Sequence, residues 1–327
     1  MFMFRKGISI IVLVLLTGAI LLGGCSKSTP TKQAENNYPN KPITIIVPFA
    51  AGGSSDIGTR LVAKRLETEL GQPVVVENVP GAAGWLGWQK MAKAKPDGYT
   101  LSLFTLSYIT SYLNPETKRD MNLESITQLA NHVLDVTAWA VKPDSQFKDA
   151  KELLAYVKDN PGKISVATSG LYTQHHIALL ALDKLGYKMK PVHTNGLSES
   201  LTLAMGGHVD VVSMGAGDIR TQAQEGTLRP LAVLDDKRSK FLPDVPTFAE
   251  NTGITLNAYA ARGFAGPANM DAAVVKRLET ALQKIMNDPT HIAEMEAKGL
   301  DVRYMDSAVY KVFLKKEESE NKRVLGW

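Results

Sequence analysis

The stretch Ile43-Thr44-Ile45-Ile46-Val47-Pro48-Phe49-Ala50-Ala51-Gly52-Gly53-Ser54-Ser55-Asp56-Ile57 decides the fold. Ile43 to Val47 is an unbroken run of β-branched residues, the pattern of a strand buried on both faces in a parallel sheet. Pro48 closes the run, since a residue without an N–H cannot extend the ladder. A loop of small residues follows. Beyond it Ile57, Leu61, Val62, Leu66 and Leu70 recur at helical spacing until Gly71 supplies the stop. Asp56 reads as the N-cap of that helix. Strand, glycine-rich loop and helix in this order form one unit of a parallel α/β sheet. Ligands in such sheets bind beyond the carboxyl ends of the strands.

The same grammar extends in both directions. Val74 to Glu77 is a second strand, and it leads into the small-residue loop Asn78-Val79-Pro80-Gly81-Ala82-Ala83-Gly84. Leu101 to Phe104 is a third strand, followed by Thr105 and Ser107. In the middle of the chain Ile164 to Ala167 reads as a strand before Thr168-Ser169-Gly170, and a helix then carries Ile177, Leu180 and Leu185. Val192 ends another strand ahead of Thr194-Asn195-Gly196-Leu197-Ser198, and Val209 to Ser213 precedes Met214-Gly215-Ala216-Gly217-Asp218. Leu231 to Leu234 is a further strand. Val274, Val275, Leu278, Leu282 and Ile285 mark a late helix, and Met305 to Trp327 reads as one more, rich in Lys and Glu. Two mostly parallel sheets facing each other would gather both sets of loops around one cleft. The extended apolar stretches His132 to Val141 and Tyr259 to Phe264 are the candidate crossovers between lobes.

Composition agrees with a folded α/β protein. The chain has 327 residues, 44 % of them hydrophobic and 21 % charged, which excludes disorder, collagen-like repeats and a multi-span membrane protein. A net charge of +4, part of it carried by Arg5 and Lys6, is too weak and dispersed for a nucleic-acid partner. One cysteine permits neither an intramolecular disulfide nor a cysteine-built zinc site.

That cysteine belongs to the leader. Arg5 and Lys6 precede the apolar run Ile8 to Leu22, and Leu22-Gly23-Gly24 precede Cys25. The run is about 15 residues, shorter than the roughly 20 needed to span a bilayer, so it reads as an export signal rather than a membrane helix. Small residues before a cysteine resemble the bacterial lipoprotein processing box, in which the thiol is acylated before cleavage; the alternative is an ordinary signal with a chance cysteine. The expected organisation is a signal over 1–24, a solvated tether over 25–37, one lobe from 38–136 and 260–327, and a second from 137–259.

From Tyr38 to Trp327 the chain resembles the extracytoplasmic substrate-binding receptors of tripartite tricarboxylate transporters. The resemblance rests on Tyr38-Pro39-Asn40-Lys41-Pro42-Ile43, on Pro48 to Asp56, on Glu77 to Gly84 and on Pro96-Asp97-Gly98-Tyr99-Thr100-Leu101. It continues through Asn160-Pro161-Gly162-Lys163, Gly206-Gly207-His208-Val209-Asp210, and Leu242-Pro243-Asp244-Val245-Pro246-Thr247 with Glu250. It implies an α/β, two-lobed periplasmic-binding-protein fold, type II-like, with two crossover segments. It also implies a lipid-anchored extracytoplasmic receptor that captures a small organic carboxylate and delivers it to membrane permease subunits, with no catalysis, cofactor or metal.

Carried over by motif, the first lobe would contribute Phe49, Ala51, Gly52, Gly53, Ser54, Ser55, Gly81, Ala82, Ala83, Gly84, Thr105 and Ser107. The second would contribute Thr168, Ser169, Gly170, Thr173, Asn195, Gly196, Ser198 and Asp218. Chemically, glycine-rich backbone at helix N-termini offers N–H donors and partial positive charge to an anion. Two departures stand out: Tyr172 replaces a family glycine, and Asn195 replaces a family lysine.

Other readings compete at several residues. His175 and His176 point about 100° apart on a helix and cannot chelate one metal; His176 reads as a hydrogen-bonding structural residue. Trp85, Trp88 and Trp139 read as core, and Arg262 as either a carboxylate fork or a surface ion pair. A receptor signalling to a membrane histidine kinase shares the same binding chemistry. An exported hydrolase is the rival enzyme class, but Gly52 to Asp56 lacks the Gly-x-Ser-x-Gly elbow and the lysine of a phosphate loop.

Overall fold

The computed structural model describes residues 38–194 and 197–327. The export signal, Cys25 and the tether lie outside the described residues, as do Asn195 and Gly196.

β1 (Ile43–Val47) and α1 (Ser54–Leu70) realise the opening unit, and Gly71 closes the helix in the left-handed conformation at φ 68°. Asp56 is not its N-cap. That position belongs to Gly53, while Asp56 lies in the first turn and reaches back to accept the Gly52 N–H at 2.9 Å. β2 (Val74–Asn78) pairs parallel to β1; a one-turn 3-10 segment over Ala82–Gly84 leads into α2 (Trp85–Ala92). β3 (Thr100–Thr105) pairs with the other side of β1 and runs into α3 (Ser107–Leu113).

β4 (Ile126–Val141), 16 residues long, then leaves this sheet for a second one. There α4 (Ala150–Asp159), β5 (Ser165–Thr168), α5 (Gln174–Lys184), β6 (Lys190–His193), α6 (Leu197–Met205), β7 (Val211–Gly215), α7 (Ala216–Gln224), β8 (Arg229–Val233) and α8 (Phe248–Thr252) follow. β9 (Tyr259–Pro267) returns the chain to the first sheet, completed by α9 (Ala272–Met286), α10 (Pro289–Ala297), β10 (Val302–Asp306) and α11 (Ser307–Leu325). The strand order is β2-β1-β3-β9-β4-β7-β5-β6, with β8 and β10 also pairing with β4.

β1–β3 and β5–β7 are parallel as expected, but β4, β8, β9 and β10 pair antiparallel. The reason is the crossovers themselves: β4 and β9 run side by side in opposite directions from Ile126↔Pro267 to Val136↔Tyr259. Beyond that rung the Thr137 N–H donates to the Ala258 carbonyl at 2.8 Å, and β4 exchanges its partner for β7 and β8. The tail also differs from its sequence reading. Val302–Asp306 is a strand against β4, and the helix begins only where the Asp306 side chain accepts the Val309 N–H.

Strand alternation builds two cores on each side. Ile43, Ile45 and Val47 face α1 and α9 through Leu66, Leu278 and Leu282, whereas Ile46 faces Trp85, Trp88 and Phe104. In β4, Trp139 and Val141 join Leu153, Leu179 and Phe248, and Ala138 and Ala140 join Val212, Met214 and Ile219. Trp85, Trp88 and Trp139 are fully buried, and the latter two have indole partners in the Leu103 carbonyl and Ser213 Oγ.

Candidate functional site

A cavity of about 130 Å³ lies where the loops after β1 and β3 meet β9 and the start of α5. Phe49, Ser55, Thr105, Leu106, Ser107, Gln174, Ala260, Ala261 and Arg262 line it. A smaller one of about 50 Å³ shares Leu106, Ser107 and Gln174 and extends to Tyr172, Thr173, Tyr259 and, from α11, Glu317, Glu320 and Asn321. The walls therefore come from both sheets.

Each wall residue has a local cause. Phe49 follows the Pro48 stop, packs its ring edge-on to Trp88, and gives its carbonyl to Asn78 Nδ2 at 3.0 Å. Ser54 and Ser55 open α1, where the first N–H groups have no intrahelical acceptor. Thr105 and Ser107 share a hydroxyl contact at 2.7 Å at the entry to α3. Thr173 caps α5, and its hydroxyl donates to the Gly170 carbonyl at 2.9 Å.

The glycine loop after β1 is less open to an anion than its composition suggests. The Gly52 N–H is taken by Asp56, whose carboxylate also accepts from Arg60 and Asn78. Burial opposes ionisation of Asp56, but these donors outweigh it and hold its pKa below the usual value. Donors left at this end are the N–H groups and hydroxyls of Ser54 and Ser55.

Arg262 enters from β9. Its guanidinium pairs with Asp135 of β4, donates to Ser54 Oγ at 3.3 Å, and lines the larger cavity. The ion pair is largely enclosed, with side-chain exposures of 16 % for Arg262 and 11 % for Asp135. Asp135 is further satisfied by the Asp301 N–H at 3.0 Å. Asp218, in the first turn of α7, has no hydrogen-bond partner among the described residues. Burial first, and then the charge of Asp135, raise its pKa to about 6 against the opposing effect of Arg262.

The cavities thus gather Phe49, Ser55, Thr105, Ser107 and Thr173, while Ser54 adjoins the larger one through Arg262; Asp218, half-buried in α7, lines neither. Ala51, Gly52 and Gly53 are exposed at the loop tip, and Gly81, Ala82, Ala83 and Gly84 form the positive-φ turn before α2; none of these lines either cavity. Thr168 is buried and bonds His193 Nδ1 at 2.8 Å, Ser169 and Gly170 are half-buried beside it, and Ser198 lies exposed in α6. Gln174, Tyr259 and the α11 residues were not legible as wall positions, because no local motif marks them and the folding back of α11 brings its share. His176 accepts the Tyr172 N–H at 3.1 Å, a structural bond, and burial together with His193 lowers its pKa to about 4. Neither Ser54 nor Ser55 bonds a histidine among the described residues.

Known proteins share this architecture. The family model described as tripartite tricarboxylate transporter family receptor matches residues 59–326. The UPF0065 protein in the gbd 5'region of Cupriavidus necator is 33 % identical, over 90 % of each chain. A solute-binding protein of the same receptor type from Polaromonas is 26 % identical, with a TM-score of 0.77 over 88 % of this chain and 99 % of its own. MatC from Rhodopseudomonas palustris, solved with bound malate, is 25 % identical, with a TM-score of 0.73 over 88 % and 99 %. The fold is the two-lobed α/β architecture of periplasmic solute-binding proteins, with β4 and β9 as its crossovers. By sequence and by fold the chain belongs to the receptors of the tripartite tricarboxylate transporter family.

Proposed function

We propose that the protein is a lipid-anchored extracytoplasmic receptor that closes over a small carboxylate and passes it unchanged to membrane permease subunits. The observation that carries this reading is Arg262 on the wall of a cavity built from both sheets, facing Ser55, Thr105, Ser107 and Gln174. A guanidinium and several hydroxyl and amide groups form a donor-rich lining, which suits a carboxylate. Bound malate in MatC supports the same ligand class. The lobes are taken as 38–136 with 260–327, and 137–259, dividing where β4 changes partner. The backbone and side-chain set from Phe49 to Ser107 would meet the set from Thr168 to Asp218 on closure.

Calorimetry with mono-, di- and tricarboxylates tests the reading. At least one should bind, Arg262→Ala should weaken it by more than tenfold, and the ligand should be recovered unchanged. Product formation that depends on Ser54 or Ser55 would favour a hydrolase instead. The anchor has a separate test: mature protein from membranes should begin at acylated Cys25 by intact mass, and an unmodified cysteine would remove it. Ligand-dependent activation of a neighbouring histidine kinase, with no uptake defect on deletion, would turn the reading to signalling.

A further inference from the structure

We propose that Gln174 is the second lobe's contact on the ligand and that His175, buried behind it, is a positioning residue that holds its amide ready, an inference that rests on the carboxylate-receptor reading above. The lining of the larger cavity comes from the connections after β1 and β3 and from β9, except for Gln174. That residue opens α5, in the half of the molecule built on the second sheet. It lines the smaller cavity as well. A ligand resting on Arg262, Ser55, Thr105 and Ser107 would therefore meet the other lobe at Gln174.

The amide of Gln174 is not free to turn. His175 is buried, and its Nδ1 lies against the Ser213 carbonyl. A carbonyl oxygen only accepts, so Nδ1 carries the hydrogen. Burial lowers the pKa of the ring to about 3 and keeps it neutral, which leaves Nε2 as a bare lone pair. Gln174 Nε2 lies 2.7 Å from that nitrogen, and since His175 Nε2 can only accept, Gln174 must turn its NH2 group towards it and not its oxygen. The far end of this relay is fixed too. Ser213 is fully buried in β7 opposite Trp139 of β4, whose indole N–H donates to the Ser213 hydroxyl at 3.1 Å. Gln174 keeps a second N–H and its oxygen, and the oxygen has no partner among the described residues. A long side chain ordinarily loses rotamer freedom when a ligand pins it, but here folding has already taken that loss. Closure gains only what the second lobe adds to binding, so a preset amide at this point favours the closed state.

Calorimetry against acetate, succinate, malate, adipate and citrate, on the wild type, Gln174→Ala, His175→Asn and the double variant, tests the relay. Asparagine at 175 can still donate to the Ser213 carbonyl but is too short to carry the bond on to Gln174. For a carboxylate that binds the wild type, Gln174→Ala should weaken binding about tenfold and His175→Asn about three- to tenfold. The double variant should bind no more weakly than Gln174→Ala alone, because His175 acts through Gln174; a merely structural role would make the losses add. At saturating ligand Gln174→Ala should compact less than the wild type in small-angle scattering. Nitrogen NMR of the wild type should find the imidazole hydrogen of His175 on Nδ1. Unchanged affinity in Gln174→Ala, additive losses in the double variant, or the hydrogen on Nε2 would overturn the proposal. If His175→Asn does not fold, the affinity of Gln174→Ala and the wild-type tautomer decide. If none of these carboxylates binds the wild type, the receptor reading itself fails and this proposal with it, whereas binding that ignores residue 174 sinks the proposal alone.

Discussion

Gly52 and Gly53 are neighbours that are glycine for different reasons. Gly52 sits at φ 83°, a conformation that side chains rarely adopt, and its N–H is committed to Asp56. Gly53 has φ -77° and ψ 167°, open to any residue, and a Cβ there would meet nothing closer than the Ala50 carbonyl at 3.8 Å. The fold therefore does not require glycine at 53, which makes it a clean probe of ligand approach. Gly53→Val should melt within a few degrees of the wild type, and because Gly53 is exposed and lines neither cavity, it should weaken carboxylate binding more than tenfold only if the ligand reaches the Ser54 and Ser55 N–H groups past the loop tip. Unchanged calorimetric affinity would take this loop out of the site. A second residue-scale feature is the buried pair His132 and His291, whose Nε2 atoms lie 2.8 Å apart. One ring must donate to the other, so the two cannot both be protonated. Burial, then His291 and Arg262, hold His132 well below its usual pKa, and burial, then Arg65, lower His291 to about 4 against Glu294 and Asp288. The unfolded chain thus takes up protons below pH 6.5 that the folded chain refuses. The stability contributed by neutral burial is complete above about pH 6.5 and lost as the pH falls towards 4. The melting temperature should drop by roughly 5 °C or more between pH 7 and pH 5, and His291→Phe should flatten that slope; an equally steep slope in the variant would place the acid sensitivity elsewhere.

At the scale of elements, the start of α7 packs directly on the connection between α10 and β10. A Cβ on Gly217 would fall inside the Gly299 carbonyl, a backbone atom that cannot swing aside. Nearby, Arg220 donates to the Glu296 carbonyl at 3.4 Å, and Lys240 bridges Glu296 at 2.5 Å and Asp301 at 2.6 Å. Gly217→Ala should cost about 1–3 kcal/mol by overpacking, read as a lower urea midpoint. Gly226→Ala, where a Cβ meets nothing and only the φ of 69° is unfavourable, should cost less. If the two variants are equally stable, the α7 contact is looser than the backbone implies. Elements with a local signature were legible: the β-branched run of β1, the Gly71 stop, and the apolar stripe of α9. The strand β10 was not, because Val302 to Asp306 is only half-buried and alternates weakly; it is a strand because β4 lies beside it.

For the whole molecule, the crossovers β4 and β9 form the axis about which the lobes would move, and α11 is a third link. Its end reaches α5 of the other sheet through Lys184 Nζ, which donates to the Arg323 carbonyl at 2.8 Å, and through Tyr172, whose ring meets Trp327 edge-on at 4.9 Å. Closure over a ligand shifts an open–closed equilibrium only by the difference in affinity between the two states. A saturating true ligand should reduce the radius of gyration measured by small-angle scattering, with the ligand unaltered afterwards. Compaction absent at saturation would argue against a two-lobe clamp.

The sequence by itself determined the alternation of strands and helices, the glycine- and hydroxyl-rich tips, the burial of Trp85, Trp88 and Trp139, and the family. All of these depend on spacing along the chain or on short motifs. Tertiary structure alone decided that Asp56 occupies the Gly52 N–H and that Arg262 is tied to Asp135 while lining the cavity. It also decided that α11 helps to wall the smaller cavity. The physical reason is distance along the chain. Arg262 meets Asp135 across 127 residues, and whether two such groups pair depends on how β4 and β9 register, not on what surrounds either residue in sequence.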